Sequence, residues 1–282
     1  MPREPKPTKP ACCPSAPGRH RENDALSAPL SVRRVEEKWK VRFPFPLAAP
    51  SAVLRAGLAE NSAFLACRFP EIAILFFETE ACLAYTDEDL PPHLADLPCS
   101  WHAHMPLDLP WRAGFETAWR KIDGLLDKLA PVSPKAYVLH PPDAPDMLPP
   151  LAARLRDKGV DPARVLIENV NGCSLTPIWD EMVEGGYSAC LDIGHIRAYD
   201  QHDILQLPGL WERVRMLHVY GAERDRRHRP LSELDLEGQT LLRTMLEQAS
   251  DFTVTLELFG EAELFDSLDL FGRWFARWSE KK

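Results

Sequence analysis

The sequence predicts an α/β fold closed into a (β/α)8 TIM barrel, and three observations carry that reading. Short apolar runs recur about once every thirty residues and finish on acidic or histidine residues. They read AILFFE to Glu78, CSWHAHMP with His104, AYVLHP with His140, RVLIEN with Glu168, ACLDIGH with Asp192 and His195, VRMLHVYG with His218, and TVTLELF with Glu257. The carboxyl ends of barrel strands surround one cleft, so polar residues scattered along the chain converge in space. Six of the nine histidines lie in these segments or just beyond them. Second, helix-sized stretches separate the runs throughout, which implies a parallel sheet with helices outside. Third, 282 residues at 45% hydrophobic suffice for one large core, and such barrels take roughly 250 residues. No GxGxxG turn follows the first strand, so an open dinucleotide-binding sheet is disfavoured.

Residues 1–37 are rich in Pro, Lys and Arg, cannot offset their ordering entropy by burial, and read as a disordered leader. Residues 38–282 form the catalytic barrel domain. Its first half predicts a strand at 41–47, then a helix at 51–68 with Leu54, Leu58 and Leu65 on one face. Strand 71–78, helix 87–95, strand 99–106, helix 110–129 and strand 136–140 follow. The second half predicts helix 147–158, strand 164–169, helix 176–184, strand 188–192 and a short helix near Asp203. Strand 213–218, helix 231–248, strand 253–258 and helix 262–278 complete eight strands.

A net charge of −9 argues against general affinity for nucleic acid, whose backbone selects clustered Lys and Arg. The basic run from Arg224 to Arg229 is the local exception. The seven cysteines, at 12, 13, 67, 82, 99, 173 and 190, are odd in number and lack CxxC pairs. They read as reduced thiols of a cytoplasmic protein. No stretch approaches the roughly 20 apolar residues of a membrane span, and no signal-peptide apolar region opens the chain.

Glu168, Asp192, His218 and Glu257 end strands five to eight and offer a mixed oxygen and imidazole shell suited to Zn, Mn or Fe. Glu168 and Glu257, on opposite sides of that set, are candidate bridging carboxylates and candidate catalytic groups. His104 and His140 extend the set to strands three and four, as a site for two or three ions that clamps a phosphoester would require. His195 and His228 lie where each could bind a metal or a phosphate. A lone strand-end carboxylate is more often a helix cap or an ion-pair partner, but seven at successive strand ends favour a shared site. His102, two residues before His104, is expected to support it from behind. Glu78, Arg226 and Arg227 are candidate substrate contacts, and Trp101, Trp111 and Tyr220 read as core aromatics near the mouth.

These segments resemble the xylose-isomerase-like barrel superfamily, and within it the endonuclease IV (AP endonuclease family 2) branch. The matching pieces are LHPP at His140, IENVNG at Glu168, CLDIGH at Asp192 and His195, HVYG at His218, RHRPL at His228 and LELF at Glu257. The resemblance implies metal ligation by His104, His140, Glu168, Asp192, His195, His218, His228 and Glu257, and hydrolysis of a phosphodiester. It departs at one place: the pattern has an Asp two residues before His228, where this chain has Arg226 beside Asp225. Two divalent ions, Zn or Mn, are therefore expected, with a third position short of a ligand.

The finer likeness is to the cobamide-remodelling phosphodiesterases, the CbiR family, through FPFPLA from Phe43, FFE ending at Glu78, HMPLDL from His104, YVLH ending at His140 and CLDIGH ending at His195. It implies a small-molecule corrinoid substrate whose nucleotide-loop phosphoester is hydrolysed for salvage. The alternatives are a sugar isomerase or epimerase of the same fold, using the four-residue set around one metal, then an AP endonuclease. A non-catalytic corrinoid-binding barrel is a further class.

Overall fold

The computed structural model describes residues 29–280. Eight parallel strands close into a barrel: β1 (Leu47–Pro50), β2 (Glu71–Leu75), β3 (Ser100–His104), β4 (Tyr137–Leu139), β5 (Val165–Glu168), β6 (Ser188–Asp192), β7 (Val214–Val219) and β10 (Thr253–Leu256). Between β7 and β10 a small antiparallel hairpin, β8 (Ala222–Arg224) and β9 (Arg227–Arg229), stands outside the barrel sheet. The helices are α1 (Val32–Trp39), α2 (Leu58–Ala66), α3 (Thr79–Leu83), α4 (Phe115–Leu129), α5 (Leu148–Asp157), α6 (Trp179–Gly185), α7 (Ile193–Ala198), α8 (Leu210–Arg213), α9 (Leu236–Gln248) and α10 (Glu261–Ser279). Among the described residues no helix is long and apolar enough to cross a membrane.

Strand alternation explains why the polar residues face inward. Ala136, Val138, Leu166, Cys190 and Met216 form a buried cluster separate from the large core shared by sheet and helices. His140, Glu168, Asp192 and His218 each lie two residues beyond a member of that cluster, so they share its face and stand one layer higher. The ladder sets Glu168 beside Cys190 and Asp192 beside His218. Removing the inner cluster from water contributes about 1.5–3 kcal/mol for each large aliphatic side chain, and it forms the floor of the mouth.

Several boundaries differ from the sequence expectation, each for a physical reason. The first strand begins at Leu47, because Pro44 and Pro46 lack the N–H that a ladder needs. Phe43 and Phe45 instead pack on Phe271 and Phe275 of α10. The helix expected at 51–68 covers only Leu58–Ala66. The segment before it is a loop organised by buried Asn61, which accepts from the N–H groups of Val53 and Leu54 and donates to the carbonyls of Ala56 and Gly57. The helix expected at 87–95 is a 3-10 turn, Pro92–Asp96, whereas α3 and α7 follow strands where only loops were expected.

The leader boundary also moves. Residues 32–37, placed in the disordered segment, belong to α1, whose Val32, Val35 and Trp39 follow helical spacing. Ser31 caps it by accepting from Arg34 N, and Gly272 lets α10 approach so closely that a Cβ there would meet Val35 at 2.3 Å. Trp39 Nε1 and Lys38 Nζ both donate to Asp269. Burial of one apolar face thus offsets the ordering cost that composition alone suggested could not be met. Residues 1–28, with Cys12 and Cys13, lie outside the described residues.

Candidate metal centre

Three histidines at the barrel mouth commit one ring nitrogen to a backbone carbonyl. His104 Nδ1 pairs with Met105 O at 2.9 Å, His195 Nδ1 with Asn169 O at 2.9 Å, and His228 Nδ1 with Glu257 O at 2.9 Å. A carbonyl only accepts, so Nδ1 carries a proton, and in the neutral ring Nε2 presents a lone pair. Fixing the second nitrogen in this way is how proteins orient imidazole ligands. His104 and His140 direct Nε2 at Glu168 Oε2, at 3.1 and 3.3 Å, while His218 Nδ1 lies 2.8 Å from Glu168 Oε1 and 3.1 Å from Glu257 Oε2.

Asp192 divides its carboxylate between structure and cleft. Oδ1 accepts from His195 N and caps α7, whereas Oδ2 is buried without a hydrogen-bond donor. Donor atoms within 4.8 Å of one another form overlapping groups: His104, His140 and Glu168; Glu168, Asp192, His218 and Glu257; and Asp192, His195 and His228. Glu168 links the first two groups and Asp192 the last two. Glu257 belongs to the middle group and to a further one with His104 and His218, and its Oε2 lies 3.6 Å from His228 Nδ1, so Glu168, Asp192 and Glu257 each reach more than one group.

The charges are unbalanced unless protons or cations are added. Glu168, Asp192 and Glu257 are buried, and among the described residues the ion pairs these three make are all with histidines. Burial and the neighbouring Glu168 and Glu257 charges push the Asp192 carboxyl up to about 6, despite His195. Burial opposes ionisation of Glu168 as well, but the His218 charge and three histidine hydrogen bonds outweigh it and hold it well below the usual range. His218 is correspondingly raised, burial being outweighed by the acidic groups around it. The proton shared by that pair resides on the imidazole. Buried acceptors of this number fit divalent ions well, and the mixed N and O set suits Zn or Mn.

A cleft of about 290 Å³ opens above these groups, lined by His104, His140, Glu168, His195, His228 and Glu257, with Glu223 and Arg226 on one side. Phe77, Leu107 and Phe259 form an apolar rim and are each well exposed. Arg226 therefore stands at the cleft as a candidate contact, while Arg227 is exposed and outside its lining. Glu78 is also exposed and outside it, because β2 ends three residues earlier, at Leu75. His102 does not back His104: its Nδ1 pairs with Glu71 Oε1 at 2.7 Å, toward the opposite end of the barrel. Trp101, Trp111 and Tyr220 are buried, and Tyr220 stacks on His228 at 3.8 Å.

Three residues that sequence reasoning passed over shape this centre. Buried Asn169 accepts from Asp192 N at 2.8 Å and donates to Asp192 O, and Gln201 ties the same loop through Val170 O. Glu223 lies 3.0 Å from His195 Nε2 and accepts from Tyr199 OH. The adjacency of Asn169 to Glu168 was a usable signal, whereas the reach of Glu223 depends on a hairpin that composition did not announce.

No family model and no curated protein sequence matches the chain. Solved structures do match, and they show the fold. A D-tagatose 3-epimerase-like protein aligns with a TM-score of 0.67 at 15% identity, over 84% of this chain and 99% of its own. A xylose isomerase domain containing protein from Salmonella typhimurium LT2 gives 0.60 at 12% over 82% and 96%. The 3-keto-D-glucoside 4-epimerase YcjR from E. coli gives 0.59 at 14% over 83% and 99%. The chain thus has the xylose-isomerase-like (β/α)8 barrel fold.

Proposed function

We propose that this chain is a metal-dependent phosphodiesterase that hydrolyses the nucleotide-loop phosphoester of cobamides in corrinoid salvage. The observation that carries the reading is the pair of flanking groups, His104–His140–Glu168 and Asp192–His195–His228, on either side of the four-residue central set. A single-metal isomerase needs only the central set. Bound divalent ions would supply Lewis-acid charge that lowers the pKa of a water and offsets charge on the phosphoryl oxygens.

The chain's own residues then have separable tasks. His104, His140, His195 and His228 present oriented nitrogens, Glu168 and Asp192 link neighbouring groups, and Glu168 or Glu257 can accept a proton from the attacking water. Water oxygen bonds to phosphorus, the ester oxygen leaves, and a proton passes to the leaving group. Arg226 at the rim offers a guanidinium to a phosphate. The HMPLDL segment shapes that rim. Leu107 is exposed at the lip, and Asp108 Oδ1 accepts from Thr79 N and Oγ1, holding the loop that carries Phe77. An apolar rim above a floor whose bound cations would meet a phosphate suits a phosphoester with a broad apolar face better than a free polyol.

A second reading, a ketose epimerase or isomerase, has specific support in the central Glu168–Asp192–His218–Glu257 group and in neighbours whose names describe epimerases. There Glu168 and Glu257 would exchange protons with the substrate. Incubating the metal-loaded protein separately with cobalamin and with D-tagatose, followed by mass spectrometry and sugar chromatography, separates the two. Release of a cobinamide-type product with the ketose unchanged is expected. Intact cobalamin beside an epimerised ketose overturns the phosphodiesterase.

A further inference from the structure

We infer that Glu223 is a cation ligand on the Asp192–His195–His228 side of the mouth, supplying from a neighbouring strand the carboxylate that Arg226 does not. The inference rests on the reading of the mouth as a cation site and concerns which residues complete it. Its basis is the hairpin. Glu223 on β8 and His228 on β9 are direct cross-strand partners, so their side chains leave the ribbon on the same face. Asp225 and Arg226, with φ of 53° and 58°, form the two-residue turn between these strands. A residue two before His228 is thus in the turn, and the position that shares His228's face is Glu223.

The environment of Glu223 agrees with ligation. Its side chain lines the cleft, and Tyr199 OH holds Oε1. Oε2 is buried with no hydrogen-bond donor and lies 3.0 Å from His195 Nε2. His195 Nδ1 is committed to Asn169 O, so Nε2 is the ring nitrogen that faces the cleft and this oxygen. Two adjacent ligands held about 2.0–2.2 Å from one ion stand about 3.0–3.5 Å apart. The His195–Glu223 spacing falls in that range, as do His104–Glu168 at 3.1 Å and His140–Glu168 at 3.3 Å. Asp192 Oδ2, likewise buried without a hydrogen-bond donor, belongs to the same side of the cleft. Glu223 meets this side at His195 and stands outside the tight three-residue group, which places it at the edge of the site.

The test titrates Zn, and Co for its ligand-field spectrum, into metal-free wild type, Glu223→Gln and Tyr199→Phe, counting bound equivalents against a competing chelator. The expected result is a wild-type third equivalent that Glu223→Gln loses or binds about tenfold or more weakly, with the first two unchanged. Retention of those two shows that the variant is folded. If Glu223→Gln cannot hold them, Tyr199→Phe is decisive: weakening of the third equivalent alone supports the inference. Identical third-site affinity and Co spectrum in wild type and variant overturn it. A wild type that binds one ion or none overturns it together with the multi-metal reading, whereas three equally tight ions in both proteins overturn the role of Glu223 alone.

Discussion

At the amino-terminal end of the barrel, Glu71 is fully buried and is answered by His102 Nδ1 at 2.7 Å, Lys135 Nζ at 2.5 Å and Thr253 Oγ1 at 3.0 Å. At the carboxyl-terminal end Glu168, Asp192 and Glu257 are nearly as deeply buried, and among the described residues their ion pairs are with imidazoles alone. A buried carboxylate is costly unless paired and hydrogen-bonded. The lower end meets that requirement with its own lysine and hydroxyl. The upper end has a surplus of acceptors, and added positive charge resolves it. The barrel therefore carries a fully partnered carboxylate at one end and a candidate ligand-collecting centre at the other.

The largest expected effect is at the lower end. Glu71→Ala leaves His102 and Lys135 without their carboxylate and should cost about 3–5 kcal/mol in urea unfolding, with the metal equivalents of the surviving folded protein unchanged. The pH dependence has a definite sign. His102 and Lys135 outweigh burial and lower Glu71 from 4.5 to about 2. A lowered carboxylate stabilises fully above its unfolded pKa and loses that contribution as pH falls through the folded value. The stability gap between wild type and Glu71→Gln should accordingly be full above pH 4.5 and shrink toward pH 2. A constant gap across that window would remove the ion pair from the account.

The next effect belongs to the upper end. Asn169→Ala removes the side chain that fixes the Asp192 backbone and should weaken cation binding about 10–100-fold, with a smaller change in unfolding free energy. If instead it unfolds the protein without altering affinity, the upper end is structural in the same sense as the lower. The smallest effect should come from Lys135→Met. Its side chain is 45% exposed, and Glu71 keeps His102 and Thr253. A loss of about 1 kcal/mol is expected from chemical denaturation, well short of Glu71→Ala.

This contrast between the ends was only half legible in the sequence. Glu168, Asp192, His218 and Glu257 were readable because each ends an apolar run, and one period-two argument places them all inward. Glu71 begins such a run, and nothing local distinguishes a buried carboxylate at a strand start from a solvated one. His102 failed for a related reason: spacing puts it on the face of His104, but which neighbour it bonds depends on Glu71 of the adjacent strand. Val32, Val35 and Trp39 had helical spacing, but their charged surroundings concealed it and α10 supplies the partner face. Glu223 was invisible because cross-strand pairing with His228 depends on the turn at Asp225 and Arg226.

The central claim, that the flanking histidines at the mouth are cation ligands beyond the four-residue set, is tested most directly by anomalous diffraction from crystals of the Zn- or Mn-loaded protein. The account predicts separate peaks, one against His104, His140 and Glu168 and another against Asp192, His195 and His228. A single peak enclosed by Glu168, Asp192, His218 and Glu257, with His140 and His228 uncoordinated in fully loaded crystals, would contradict it.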